Sequence, residues 1–130
     1  MKNKSSNFLQ TLLFCLSISP AYAEMPIRGD GDIAGSWLLE YSSQKLNGSK
    51  INRGETWLIT NGKLEKKNIR LARSGTYDVP PADYKIKDGK LFVATVGRPG
   101  KYTTFTLIER AENMMTLKEQ SGSYLFFIRN

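Results

Sequence analysis

Two stretches of this chain are written in nearly the same words, and they restrict its fold more than anything else in it. Trp57-Leu58-Ile59-Thr60-Asn61-Gly62-Lys63-Leu64 and Tyr84-Lys85-Ile86-Lys87-Asp88-Gly89-Lys90-Leu91 each hold an aromatic residue and an isoleucine two positions on. Each then has an Asn-Gly or Asp-Gly step followed by Lys-Leu. Such a step tolerates positive φ at both central positions, as a type I′ turn requires, so each stretch reads as a β-hairpin. The likeness stops at the turn and its flanks, so it is shared hairpin chemistry and not an internal repeat.

The rest of the chain follows the same rhythm. A first strand is expected from about Ala34 to Ser42, with Trp37, Leu39 and Tyr41 on one face. Ser43 to Gly54 is polar and turn-rich around Asn47-Gly48 and reads as a long loop or a weak exposed hairpin. Gly75 to Val79 reads as a strand ended by Pro80-Pro81, because proline donates no ladder hydrogen bond. Leu91–Val96, Lys101–Glu109, Met114–Glu119 and Tyr124–Arg129 complete the series, with turn residues between them. No long stretch after residue 23 has a helical period. Closely spaced strands of this kind make an antiparallel sandwich or barrel. Residues 63–69 and 73–79 give eight strands if they form one broken strand and nine if they are separate; eight is the expectation.

Residues 1–23 have the pattern of a cleaved signal peptide. Lys2 and Lys4 precede the apolar run Leu9–Ile18, and Pro20 leads to an Ala21-Tyr22-Ala23 cleavage site. The expected organisation is a signal peptide over 1–23, a flexible lead-in over 24–32 and a β-barrel over 33–130. The expected location is periplasmic or secreted. Bulky Phe14 before Cys15 argues against lipid attachment there.

That division removes the single cysteine, and the chain has no histidine. Ser-His and Cys-His nucleophiles, most zinc and copper sites, and haem ligation by either residue are thereby excluded. No catalytic grouping, cofactor motif or metal site is read, and the expectation is a protein that is not an enzyme. Asp30 and Asp32 form an acidic lead-in rather than a calcium site. Arg28-Gly29-Asp30 is too short a match to imply adhesion. Met114 and Met115 are adjacent in a strand, so one is expected in the core and one near the surface. The formal charge of +7 invites anionic partners. Export argues against nucleic acid among them, and short strands with charges on one face argue against an integral membrane barrel.

Gly35-Ser36-Trp37 opens the first strand as a G-x-W signature. Together with the two hairpins, the Met115-Thr116-Leu117 strand and the closing Tyr124-x-Phe126-x-x-Arg129, it makes the chain resemble the bacterial lipocalin-like families of the calycin group. The resemblance runs from about Ile33 to Arg129. It implies an up-and-down antiparallel barrel of about eight strands, with Trp37 plugging the closed end and Arg129 packed across its ring. A guanidinium over indole gains about 0.5–2 kcal/mol. It further implies that function lies at the other end, in the mouth and the loop after the first strand. The chain is shorter than full lipocalins, and no helical segment follows its last strand pattern. An eight-stranded barrel can hold one small ligand or be filled by its own side chains.

Two functional readings remain open. In the first, aromatic residues converge inside the barrel on a small apolar or amphipathic ligand. Tyr41, Trp57, Tyr84 and Phe105 line the pocket, while Lys45, Lys50 and Arg53 guard the mouth and favour an anion. In the second, the interior is filled and the basic stretch Lys63–Arg73 docks an acidic protein partner, as an inhibitor or accessory subunit would.

Overall fold

The computed structural model describes residues 24–130; the expected signal peptide, with Cys15, lies outside the described residues. The chain forms nine strands: β1 Gly35–Ser43, β2 Lys50–Asn52, β3 Thr56–Thr60, β4 Lys63–Arg70, β5 Thr76–Lys87, β6 Lys90–Ala94, β7 Tyr102–Ala111, β8 Met114–Glu119 and β9 Tyr124–Arg129. Each pairs antiparallel with the next around the sheet, and β9 returns to pair with β1, so the sheet closes. β2 pairs with the end of β1 and β3 with its beginning, while β9 occupies the other edge. β2 and β3 are therefore one broken stave, interrupted at Gly54 (φ 142°). The result is a closed, eight-staved, up-and-down barrel.

Both hairpin turns have the expected backbone, with φ of 51° and 78° at Asn61-Gly62 and of 54° and 77° at Asp88-Gly89. The count of eight arises differently from the expectation. Residues 63–70 and 76–87 are separate strands, and β5 runs straight through Pro80-Pro81. Register explains how. Leu64 pairs with Ala82 and Lys66 with Val79, so β5 carries one extra residue there and the prolines sit in a bulge opposite Glu65. A bulge asks no ladder donor of them.

The core is one inward set from every stave, including Leu39, Ile59, Leu91, Leu107, Leu117 and Phe127. Met115 is fully buried and Met114 half-buried, as strand alternation predicts. Residues 24–32, expected as a loose lead-in, are instead tied across one end of the barrel. The Met25 amide donates to Leu107 O at 2.8 Å and the Ile27 amide to Gly89 O at 2.9 Å. Asp30–Asp32 makes a short 3-10 turn. Ile27 and Ile33 are buried in the core. Gly89 allows this crossing, since a Cβ there would stand 3.2 Å from Pro26. The polar composition of the lead-in concealed one apolar plug, Ile27, which is buried with Ile33, the first residue of the expected barrel.

Candidate functional site

The closed end is built around Trp37. It faces inward, fully buried, and its indole N–H donates to Ile33 O at 3.0 Å. Trp37 and Arg129 are register partners, and the Arg129 guanidinium lies 4.1 Å from the indole centroid. This is the packing the resemblance implied. Arg129 also donates to Ala34 O at 3.1 Å. Gly35 belongs to the same arrangement: a Cβ there would fall 2.2 Å from Arg129 Nη1, and its φ of 134° disfavours any side chain. A second guanidinium, Arg110, sits 4.9 Å from the Trp37 ring centroid and donates to Asp32 O at 2.7 Å. Burial and the neighbouring Arg129 lower its pKa.

Toward the open end the interior is not filled. A cavity of about 310 Å³ is lined by Leu64, Lys66, Val79, Val93, Thr103 and Phe105, with Thr95 and Val96 at its edge. A smaller one of about 80 Å³ lies on the far side of Lys66 and Phe105, against Leu39, Arg53, Glu55, Trp57, Glu119 and Leu125. The larger space is at the low end of the usual size for small-molecule sites and is lined mainly by apolar groups.

Lys66 stands between the two. It points inward because it follows Leu64 by two residues on β4, and successive strand residues alternate. Two bulges flank it, one on β5 at the prolines. The other is on β4, where Asn68 takes φ 62° and its amide donates to Asp78 at 3.0 Å. Bulges commonly re-aim side chains near functional sites. The Lys66 ammonium lies 4.4 Å from the Trp57 ring centroid. Among the described residues it enters no ion pair. Burial lowers its pKa, and the more distant Glu55 and Glu119 partly oppose that effect.

Beside it, Glu55 is buried and committed. One oxygen accepts from Trp57 Nε1 at 2.9 Å and the other from Arg53 at 3.0 Å, and Arg53 also donates to Ser42 at 3.2 Å. The Trp57 ring is held edge-on by Phe105 and Phe127, at 5.6 and 4.9 Å between centroids. The wall beside the ammonium is thus fixed before any ligand arrives.

Of the four aromatic residues expected in a pocket, Trp57 and Phe105 line this interior and two do not. Tyr41 is on the outer wall. A bulge between Leu39 and Tyr41 reverses the alternation, so Tyr41 pairs with outward Phe126, ring to ring at 4.9 Å. Tyr84 is buried, but its hydroxyl donates to Asp30 at 3.0 Å, which fastens it to the closed end. Burial, followed by that bond, raises its pKa. Of the expected mouth residues, Arg53 is half-buried in the Glu55 pair. Lys45 is exposed, and Lys50 lies outside, 4.4 Å from the Tyr41 ring centroid. The stretch Lys63–Arg73 is not one basic face. Lys66 is inside, Lys63 pairs with Asp83, and Lys67 is 3.9 Å from Glu65. Lys66 was hidden in the sequence within Glu65-Lys66-Lys67. The signal for it was its spacing of two from Leu64.

Among the described residues no group of three or more His, Cys, Asp and Glu side chains is placed to hold a metal ion. No helix there is long and apolar enough to cross a membrane.

Neither a protein-family model nor a curated protein matches the chain. Among solved structures it is similar to a lipocalin-like protein from Bacteroides uniformis, with a TM-score of 0.59 and 18% identity over 77% of this chain and all of that one. The architecture is thus a lipocalin-like barrel.

Proposed function

We propose that the protein is a non-enzymatic binding barrel for a small amphipathic anion. The observation that carries this reading is Lys66: an ammonium inside the barrel that enters no ion pair among the described residues, at the edge of an apolar cavity. Leaving such a charge uncompensated is costly, and a ligand carboxylate or similar group would compensate it. The apolar part of the ligand would lie against Leu64, Val79, Val93 and Phe105. The signal-like pattern of residues 1–23 supports export, and with it a periplasmic or secreted place of action.

Decanoate and decan-1-ol test the reading, because they share a tail and differ in charge. Trp57 is the natural reporter, since Lys66 sits on its ring. Decanoate is expected to change the tryptophan emission saturably, and Trp57→Phe to remove the change. Lys66→Met should weaken decanoate at least tenfold, the scale of a charged hydrogen bond, and leave decan-1-ol unaffected. Equal loss for both probes would reject the role given to Lys66. Affinity for decanoate should also fall as pH rises through the lowered Lys66 pKa, because the ammonium loses its charge while the carboxylate keeps its own.

A further inference from the structure

The two ends of the barrel differ in the charge of their loops. The loops at the open end are residues 44–54, 71–75, 95–101 and 120–123. They carry Lys45, Lys50, Arg73, Arg98 and Lys101 and no Asp or Glu; their other cation, Arg53, is half-buried in its pair with Glu55. The segments at the closed end, 24–34 with the turns 61–62, 88–89 and 112–113, carry Glu24, Asp30, Asp32, Asp88 and Glu112 against Arg28. Lys45, Arg73, Arg98 and Lys101 are exposed, and among the described residues none of them enters an ion pair. Arg110, Arg129 and the lysines that flank the closed-end turns offset those acids, so the mouth is the end whose loops carry charge of one sign alone.

Three aliphatic side chains stand out among these cations. Ile51 is 57% exposed, Leu71 49% and Val96 52%. Each comes from a different open-end segment, and each has a basic residue within two positions: Lys50 and Arg53, Arg70 and Arg73, and Arg98. Nothing in the core requires them there. Val96 also lines the edge of the cavity.

We infer that the open rim docks on an anionic lipid surface, with Ile51, Leu71 and Val96 entering the headgroup layer and the surrounding cations meeting lipid phosphates. Charge complementarity selects the partner's sign. The separation of the apolar tips selects a lipid surface over a protein. A protein interface is usually anchored by aromatic residues in a packed centre, whereas the four rim loops contain none and the exposed Tyr77 and Tyr102 beside them stand apart at the open ends of β5 and β7, where such rings also suit a headgroup layer. A headgroup layer requires no matched shape, only apolar tips set among cations. The closed end mixes both signs, its five carboxylates standing among Arg28, Lys63, Lys87, Lys90, Arg110 and Arg129, so the mouth is the end that an anionic surface favours. This inference stands apart from the cavity reading, because docking is measured with no cavity ligand present.

The test is co-sedimentation of the protein with two kinds of vesicle, phosphatidylcholine alone and an equal mixture of phosphatidylcholine and phosphatidylglycerol. Binding is expected to the mixed vesicles, with release as salt rises. Each basic residue near an anionic membrane contributes about fivefold to partitioning, so Arg73→Glu with Arg98→Glu should reduce it at least about 25-fold. The same change in net charge on the wall, Lys85→Glu with Lys87→Glu, should cost far less. Leu71→Ser with Val96→Ser, which leaves charge unchanged, should lower partitioning about tenfold. Thermal melts of the four rim substitutions confirm that each variant is folded. Equal sedimentation with both vesicles overturns the inference, as does a wall pair as damaging as the rim pair. Indifference to both vesicles, with retention on immobilised polyglutamate that Arg73→Glu abolishes, also overturns it and assigns the rim to an acidic polypeptide.

Discussion

Trp37 and Trp57 face each other across β1 and β3 as register partners, and both are buried. Their surroundings are nonetheless opposite in kind. The Trp37 N–H is satisfied by a backbone carbonyl, and Arg129 and Arg110 reach its ring from the end of the barrel and also bond to carbonyls. The Trp57 N–H is satisfied by a buried carboxylate, and the cation at its ring, Lys66, has no ion partner among the described residues. The same side chain in neighbouring staves thus serves closure in one case and leaves a charge available in the other. What differs is the supply of partners. The lead-in and the last strand bring carbonyls to Trp37, whereas the bulged β4–β5 pair brings Trp57 an ammonium and empty space.

If that division holds, substitutions on the two sides should separate in size and sign. Trp37→Ala should have the largest effect, about 3–5 kcal/mol of stability in urea titration, because it leaves a large void at the closed end. Gly35→Ala should follow at about 2–3 kcal/mol, from a strained φ and a collision with Arg129. Adding Arg129→Ala to Gly35→Ala should recover part of that loss. If the double variant is instead less stable than Gly35→Ala by the full cost of Arg129→Ala alone, the collision is not the cause.

On the Trp57 side the sign should reverse. Lys66→Met should raise stability by about 1 kcal/mol while removing the preference for an anionic probe, the usual exchange at a binding site. The pH dependence sharpens this. Burial lowers the Lys66 pKa in the folded state, so between that value and 10.5 the unfolded chain holds the extra proton. Stability should therefore rise with pH across that window and level off above it, and the Lys66→Met variant should lack the rise. Smallest of all, Leu71→Ser at the rim should stay within about 0.5 kcal/mol of the parent in the same titrations.

Turn chemistry makes the hairpins legible in the sequence, since Asn61-Gly62 and Asp88-Gly89 determine local backbone without help from the rest of the chain. Gly35, Trp37 and Arg129 were legible as a set. What sequence did not disclose depends on bulges. A single extra residue after Leu39 sends Tyr41 outward, and another accommodates Pro80-Pro81 inside a continuous strand. Period-two reasoning contains no term for either event. The anchoring of Tyr84 was not legible because its partner, Asp30, lies in a segment whose polarity suggests looseness. Lys66 was overlooked because a lysine beside a glutamate and another lysine reads as surface. Its position two residues after Leu64 is the signal that marks it as inward.

The seam between β1 and β9 has a consequence for how the molecule is made. Trp37 meets Arg129, and the Asn130 amide reaches Ser36 O at 2.9 Å, so the first and last staves of the described chain are hydrogen-bonded neighbours. Until β9 is present, β1 and β8 both offer unpaired edges, and the longest loop in the fold remains to be closed. A nascent chain therefore cannot complete its barrel piecemeal as it emerges. It stays open along one side until the final stave arrives, which keeps it threadable through a narrow passage and also exposes it to strand exchange with its copies. Closure is then a single late event, and the clasp of Arg129 on Trp37 marks its completion.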